Sequence, residues 1–311
     1  MAMPVASRDP GSGKGFPRLT VIIVSYNCRE LLRACLSSLQ QQTVAADVAV
    51  IVVDNASADG TPEMVTSDFP GVTLIANTEN VGFGRASNAG LALVGSGDVL
   101  MLNPDTVLPP DGVARALDAL HERPSVGILG VRLVQLDGAV DHASRRQIPT
   151  PASSAAYMLK LRGRGRAAYT DPTAFDTEGV VGAVNGAFML LREDVVRTVG
   201  GFDEDFWMYG EDLDLCLRTT QAGWDVYYWP GLEVVHVKGG SSGKARSPRV
   251  NWAFHSAMWI FYRKHFLSVY GPFTTVLVGG GIAAKFFLSL TRSALVRSLT
   301  RARSLRFAGD R

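Results

Sequence analysis

Apolar and polar residues alternate along the first part of this chain with two distinct periods. The run Leu19–Ser25 is almost wholly apolar and reads as a strand. Residues 29–41 then carry leucines at 31, 32, 36 and 39, the spacing of one helix face. The pairing repeats. A β-branched run at 48–53 precedes a short helix at 61–67, and an apolar run at 72–76 precedes a helix at 85–94. A strand at 99–102 precedes a helix over 112–121. Strands and helices in this order predict crossover connections on a mostly parallel sheet flanked by helices, an α/β fold. Such sheets bind ligands beyond the carboxyl ends of their strands.

The rest is less regular. Residues 145–176 mix Pro, Gly, Arg and Ser and read as a mobile excursion. Apolar strands are expected at 180–191 and 224–229, a helix over 211–221, and an aromatic-rich helix at 250–266. Residues 19–265 are therefore taken as one α/β domain. Residues 1–18, rich in Gly, Pro and Ser and without the apolar stretch of a signal peptide, read as a disordered leader.

Residues 266–284 contain no charge, close to the ~18 that mark a spanning helix. Gly271-Pro272 and the glycines at 279–281 weaken that helix. Seven basic residues against one acidic then follow between Lys285 and Arg311. Apolar anchors beside a basic stretch fit a helical tail lying on, or dipping into, an anionic membrane surface. The competing reading is a helical pair packed on the domain.

Hydrophobic residues make up 47% of the chain and charged residues 19%, which excludes wholesale disorder. Basic residues concentrate in the tail rather than over the body, which speaks against a nucleic-acid partner. Cys28, Cys35 and Cys216 form no CxxC pattern and read as reduced thiols of a cytosolic protein.

Polar residues cluster where the strands end. Ser25, Tyr26 and Asn27 follow the first strand, and Asp54 and Asn55 the second. A strand-end carboxylate can accept from a base or ribose, and an Asn can read a pyrimidine edge. Turn chemistry uses the same residue types, and Ser57 and Asp59 are assigned to it. Asn80-Val81-Gly82-Phe83-Gly84-Arg85 opens a helix, where glycines admit a diphosphate and Arg85 adds a cation. Asn103-Pro104-Asp105 suits a turn, a Mg²⁺ or Mn²⁺ ligand, or both. Six acids among large aromatics between Asp203 and Asp214 are no solvated charge run. Within them Glu211 and Asp212 open a helix, and either can act as a general base, whereas Asp214 and Arg218 are spaced to pair. A lone strand-end His236 is structural unless a metal lies nearby.

Seven segments in order resemble the family 2 glycosyltransferases of the GT-A fold. They are VSYN (24–27), DNASADGT (54–61), NVGFGRASN (80–88), NPDT (103–106), GAVNGAFML (182–190), GGFDEDFWMYGEDLDLCLR (200–218) and VVHVKGGSS (234–242). The pattern is most similar to the bacterial rhamnosyltransferase-like branch that builds cell-wall and surface polysaccharides. The resemblance implies that Ser25, Tyr26, Asn27, Asp54 and Asn55 hold the nucleoside. Asn80, Gly82, Phe83, Arg85, Asn88 and Asn103 would line the donor and its diphosphate. Asp105 stands at the last acid of the family's DxD metal motif, and His236 would be a further ligand of a Mg²⁺ or Mn²⁺ ion. Asp212 would be the catalytic base, with Glu211 as the alternative, while Asn185, Gly186, Trp207 and Tyr209 would border the acceptor. The domain would then have a donor half to 106 and an acceptor half after it.

Two departures matter. Asn103 replaces the first acid of DxD, and Gln221-Ala222-Gly223-Trp224 does not fit the QxxRW of processive synthases. The chain is thus expected to add single sugars with inversion. The expected donor is dTDP-rhamnose, with a UDP-hexose or UDP-galactofuranose as alternatives, and the acceptor a glycan or a polyprenyl-linked saccharide. The expected location is the inner face of a cell membrane. A sugar nucleotidyltransferase would want a Gly- and Arg-rich loop after the first strand, where this chain has Cys28-Arg29-Glu30. A non-catalytic sugar- or lipid-binding protein of the same fold would have no use for Asp105, Asp212 and His236 together.

Overall fold

The computed structural model describes residues 19–158, 175–237 and 247–308. The expected leader, the core of the excursion and residues 238–242 of the last motif lie outside the described residues. The first half follows the expected alternation: β1 (Leu19–Ser25), α1 (Arg29–Gln40), β2 (Val48–Asp54), α2 (Thr61–Asp68), β3 (Thr73–Ala76), α3 (Phe83–Leu91) and β4 (Asp98–Leu102). A short β5 (Thr106–Val107) and α4 (Gly112–His121) follow. Next come β6 (Val126–Val134), β7 (Arg145–Arg146), α5 (Pro151–Met158), β8 (Gly179–Val180), β9 (Ala183–Val184) and β10 (Phe188–Leu191). The chain continues through α6 (Glu193–Val199), α7 (Glu211–Gln221), β11 (Asp225–His236), α8 (Pro248–His265) and α9 (Pro272–Ala308).

The main sheet runs β3-β2-β1-β4-β10-β6-β11-β5, with β8 also paired to β11. Its donor half, β3 to β4, is parallel, and β10 enters antiparallel between β4 and β6. Because strand side chains alternate, β1 serves two cores. Leu19, Val21 and Ile23 pack with α1, α2 and α4, while Ile22 and Val24 face a second core containing α3, α6 and α7 residues. Both faces are covered, which is why the donor strands read as continuous apolar runs. Cys28, Cys35 and Cys216 are buried free thiols, and burial pushes their pKa values up to about 11, about 12 and about 12.

Three expectations change. The single strand at 180–191 is three short pieces, β8 to β10. Gly182 lies so close to the backbone of Gln147 and Ile148 that a Cβ there would sit 2.6 Å from Ile148 N, and Asn185-Gly186 turns the chain again. β6 and α6 have no counterpart in the sequence expectation, and the strand expected to end at 229 continues to His236. The glycines at 279–281 do not break α9, and Pro272 begins it, a first-turn position that needs no backbone N–H.

The third apolar cluster joins α8 to the acceptor segment through Phe206, Ala257 and Phe261. Helix α9 packs back on α8: Phe286 meets Trp252 and His255 edge-on, and the Tyr262 and Thr275 hydroxyls lie 3.0 Å apart. The stretch Pro272–Ser293 is long and apolar enough to cross a membrane, and its most apolar window is unburied.

Candidate active site

A cleft of about 1290 Å³ opens beyond the carboxyl ends of β1, β2 and β4. The strands end there because the chain turns sharply. Asn27 (φ 49°), Ala56 (φ 62°) and Tyr209 (φ 71°) are the non-glycine residues with positive φ among the described residues, and all three belong to segments that form the cleft. Such backbone costs about 1–3 kcal/mol per residue and persists only where the surroundings enforce it.

On the donor side Ser25, Tyr26, Asn55, Asn80, Phe83 and Asn103 line the cleft. Tyr26 is exposed there, although it follows a buried strand. Asn55 is positioned by its neighbours, accepting from Asn77 Nδ2 (2.9 Å) and donating to the Gly82 carbonyl (3.1 Å).

The other expected donor residues are held by contacts within the protein. Asp54 is fully buried, accepts from the Ser25 hydroxyl at 2.9 Å and receives both the N–H and the hydroxyl of Ser57. Asn27 accepts from Ala58 N–H, and Asp59 accepts from Arg29 N–H at the start of α1, so Ser57 and Asp59 do the turn work expected of them. Gly82 is required by the protein's own packing: a Cβ there would lie 2.4 Å from the Trp207 carbonyl oxygen, and its φ is +92°. Asn88 clips the Phe202 backbone in both directions at 2.8 Å. Arg85 is largely exposed and pairs with Glu204 at 3.1 Å. Asn27, Asp54, Gly82, Arg85 and Asn88 therefore shape the cleft without lining it.

Asp105 and His236 meet because β5 pairs antiparallel with β11, which sets His236 opposite Thr106. The imidazole lies between two carboxylates. Its Nε2 faces Asp105 Oδ1 at 3.3 Å, and its Nδ1 faces Asp141 Oδ2 at 3.2 Å. Burial pulls the imidazole pKa down, but the hydrogen bonds of Asp105 and Asp141 outweigh it and hold it at about 9. A carboxylate beside an imidazole oriented by a further carboxylate is a fitting donor set for a divalent cation. Among the described residues no set of three His, Cys, Asp or Glu is placed to hold a metal ion.

On the acceptor side Gly186, Trp207, Tyr209, Glu211 and Asp212 line the same cleft, with Asn185 at its rim accepting from Ala187 N–H. Asp212 Oδ2 receives Arg146 Nη2 at 2.5 Å and Gly186 N–H at 3.3 Å, and its Oδ1 receives Leu213 N–H. Burial opposes the Arg146 charge, but the Asp212 carboxylate more than restores it and raises the guanidinium pKa. The same upward direction leaves Glu211 neutral rather than charged: burial, then the charge of Asp212, raises its pKa, and its Oε2 has no hydrogen-bond partner among the described residues. Asp214 pairs with Arg218 at 2.7 Å as spaced, and also with His265 of α8 at 2.8 Å. That network anchors α8 beside the carboxylates. Asp141 and Arg146 are site residues that the sequence did not disclose, since Asp141 lies in a turn and Arg146 in the two-residue β7, neither with a periodic or motif signal.

The whole chain superposes on a solved glycosyltransferase. The mannosyltransferase PcManGT from Pyrobaculum calidifontis, in complex with GDP-Man and Mn²⁺, gives a TM-score of 0.55 over 97% of this chain and 81% of that one, at 20% identity. The architecture is therefore that of a GT-A glycosyltransferase. The model described as glycosyltransferase like family 2 matches residues 17–255, and the chain belongs to that family. One relative is the N-acetylglucosaminyl-diphospho-decaprenol L-rhamnosyltransferase of Mycobacterium tuberculosis, 32% identical over 91% of this chain and 96% of its own length. Another is the rhamnosyltransferase WbbL of Escherichia coli, 26% identical over 80% of this chain and 94% of its own.

Proposed function

We propose that this protein is an inverting L-rhamnosyltransferase that moves rhamnose from dTDP-rhamnose to the sugar of an N-acetylglucosaminyl-diphospho-polyprenol, one residue at a time. The carrying observation is that the Asp212 carboxylate and the Asp105–His236 pair line one cleft from different elements. The relatives' names supply the choice of sugar and acceptor. A UDP-hexose or UDP-galactofuranose would occupy the same nucleotide wall.

The reaction needs one base. Asp212 takes the proton of the acceptor hydroxyl as its oxygen attacks the anomeric carbon. The carbon–phosphate-oxygen bond breaks on the opposite face, and the nucleoside diphosphate departs with the electron pair. Asp212 is preferred over Glu211 because burial makes Glu211 hold its own proton to higher pH. Asp105 and His236 would hold a Mg²⁺ or Mn²⁺ ion, which when bound supplies positive charge against the leaving diphosphate. Tyr26, Asn55, Asn80, Phe83 and Asn103 hold the nucleotide, and Gly186, Trp207 and Tyr209 orient the acceptor. The apolar exposed face of α9 and the basic residues that end the chain would keep the enzyme peripheral on the inner face of the membrane.

The test is transfer by the purified full chain from dTDP-rhamnose and from UDP-hexoses to a synthetic N-acetylglucosaminyl-diphospho-lipid, with the anomeric configuration read by NMR. Rhamnosyl transfer with inversion is expected. Retention of configuration, or preference for another donor, would overturn the corresponding part of the reading.

A further inference from the structure

Sites for small ligands occupy about 300–1,000 Å³, and the cleft, at about 1290 Å³, continues away from the carboxylates between α8 and α9. The extension is built from two helical stripes. Val250, Phe254, Ala257 and Phe261 face it from α8, at the spacing of one helix face. Thr274, Leu277, Val278, Gly281, Ile282 and Lys285 face it from α9 at the same period. Over the α9 stripe this makes a trough roughly 17 Å long at 1.5 Å per residue.

The trough is polarised. Phe286 against Trp252 and His255, and Ser289 donating to Asn251, show that α9 runs antiparallel to α8 with Lys285 level with the first turns of α8. That end adjoins the acceptor wall, because Arg249 lies 4.3 Å above the Trp207 ring and Tyr209 meets Phe254 edge-on. The opposite end is lined by Phe266 and Tyr270, and the two helices add no charged lining residue there, although His265 next to it holds Asp214 of α7. On the outer side of α9, Phe273, Val276, Phe287 and Leu288 are exposed, so the trough lies next to an apolar surface.

We propose that this trough holds the isoprenoid chain of the acceptor, with Lys285 and Arg249 beside its diphosphate and the first isoprene units lying along α8 and α9 toward Phe266 and Tyr270. The proposal rests on the acceptor class given above and adds where its lipid lies. An anionic headgroup on a linear chain of methyl-branched apolar units matches a trough whose charged lining residue from the two helices, Lys285, stands at the end beside the acceptor wall. The lipid is thus read by the enzyme itself and not only by the membrane.

The experiment compares two acceptors carrying the same diphospho-N-acetylglucosamine, one on a long isoprenoid and one on a short alkyl chain. It is run with the full chain in detergent micelles, where recruitment to a bilayer plays no part. Wild type is expected to show a KM at least tenfold lower for the isoprenoid acceptor. Gly281→Leu, which plugs the trough while favouring helix, and Leu277→Gln, which makes it polar, should each raise the isoprenoid KM tenfold or more and leave kcat and KM for the short acceptor unchanged. Equal KM values for the two acceptors in wild type, or variants that leave the isoprenoid KM unchanged or lower both activities alike, would overturn the proposal. Transfer to neither acceptor by wild type would overturn the acceptor class and this proposal with it, an outcome distinct from transfer without chain preference.

Discussion

The two walls of the cleft use their polar residues differently. On the donor wall, side chains mostly satisfy one another: Asp54 with Ser25 and Ser57, Asn55 with Asn77 and Gly82, Asn88 with Phe202. On the acceptor wall, buried polar atoms are left over. Glu211 Oε2 and Arg146 Nε have no hydrogen-bond partner among the described residues, in a region where each such atom costs about 1–3 kcal/mol. The first wall is held rigid by its own hydrogen bonds, whereas the second keeps polar atoms that its described side chains do not satisfy. Substitutions on the two sides should therefore fail differently, the first through stability and donor affinity, the second chiefly through turnover.

The sharpest test of that contrast is Asp212→Asn. It should lower kcat by about 10²–10⁴-fold while nucleotide binding stays near wild type, and the melting temperature should fall because Arg146 is left buried without its counter-ion. Near-normal turnover would remove Asp212 from the role of base. Next come Asp105→Ala and His236→Ala, expected to weaken metal-dependent nucleotide binding by about 10–100-fold in a titration with Mn²⁺. Wild type should lose activity in excess chelator and regain it with Mg²⁺ or Mn²⁺, and full activity in chelator would exclude a metal requirement.

On the donor side, Gly82→Ala must fit a Cβ 2.4 Å from the Trp207 carbonyl at a φ of +92°. It should cost about 1–3 kcal/mol, read as a lower melting temperature, with kcat less affected than in Asp212→Asn. A stable, fully active variant would mean that the Trp207 segment gives way freely.

The smallest effect concerns pH. Burial and the Asp212 charge raise the Glu211 pKa in the folded chain. The folded state then binds a proton that the unfolded state releases in the ordinary carboxyl range. Stability from this source is complete below that range and declines as pH rises through it toward the raised value. Glu211→Gln cannot ionise, so its melting temperature should gain on wild type between about pH 5 and about pH 8. A constant difference across that range would contradict the raised pKa.

The sequence was most legible where one period held over a whole element. β1, β2, α1 and α4 lie where their periods place them, because both faces of the donor sheet are covered and the signal is unbroken. The expected alternation stops before β6, and the apolar run at 180–191, which contains β10, reads as one strand because its pattern does not mark the turns at Gly182 and Asn185-Gly186. The cleft residues were legible as strings, yet their partners were not. Arg146 meets Asp212 across 66 positions and Asp141 meets His236 across 95, contacts that only the folded topology creates. Arg85 was read as a cation for phosphate, and its pairing with Glu204 spans 119 positions in the same way.

The seam between the two walls has a consequence for engineering. Phe83 N–H donates to the Trp207 carbonyl at 2.8 Å, and Asn88 holds Phe202 from the same short helix. Residues 80–88 and 200–218 are thus fitted to each other like the halves of a hinge, although they lie far apart in the chain. Exchanging acceptor preference between family members by grafting the later segment alone would bring a foreign aromatic against an unmatched glycine. A chimera should carry both segments as one cassette, and grafts that move them together should fold where single grafts aggregate.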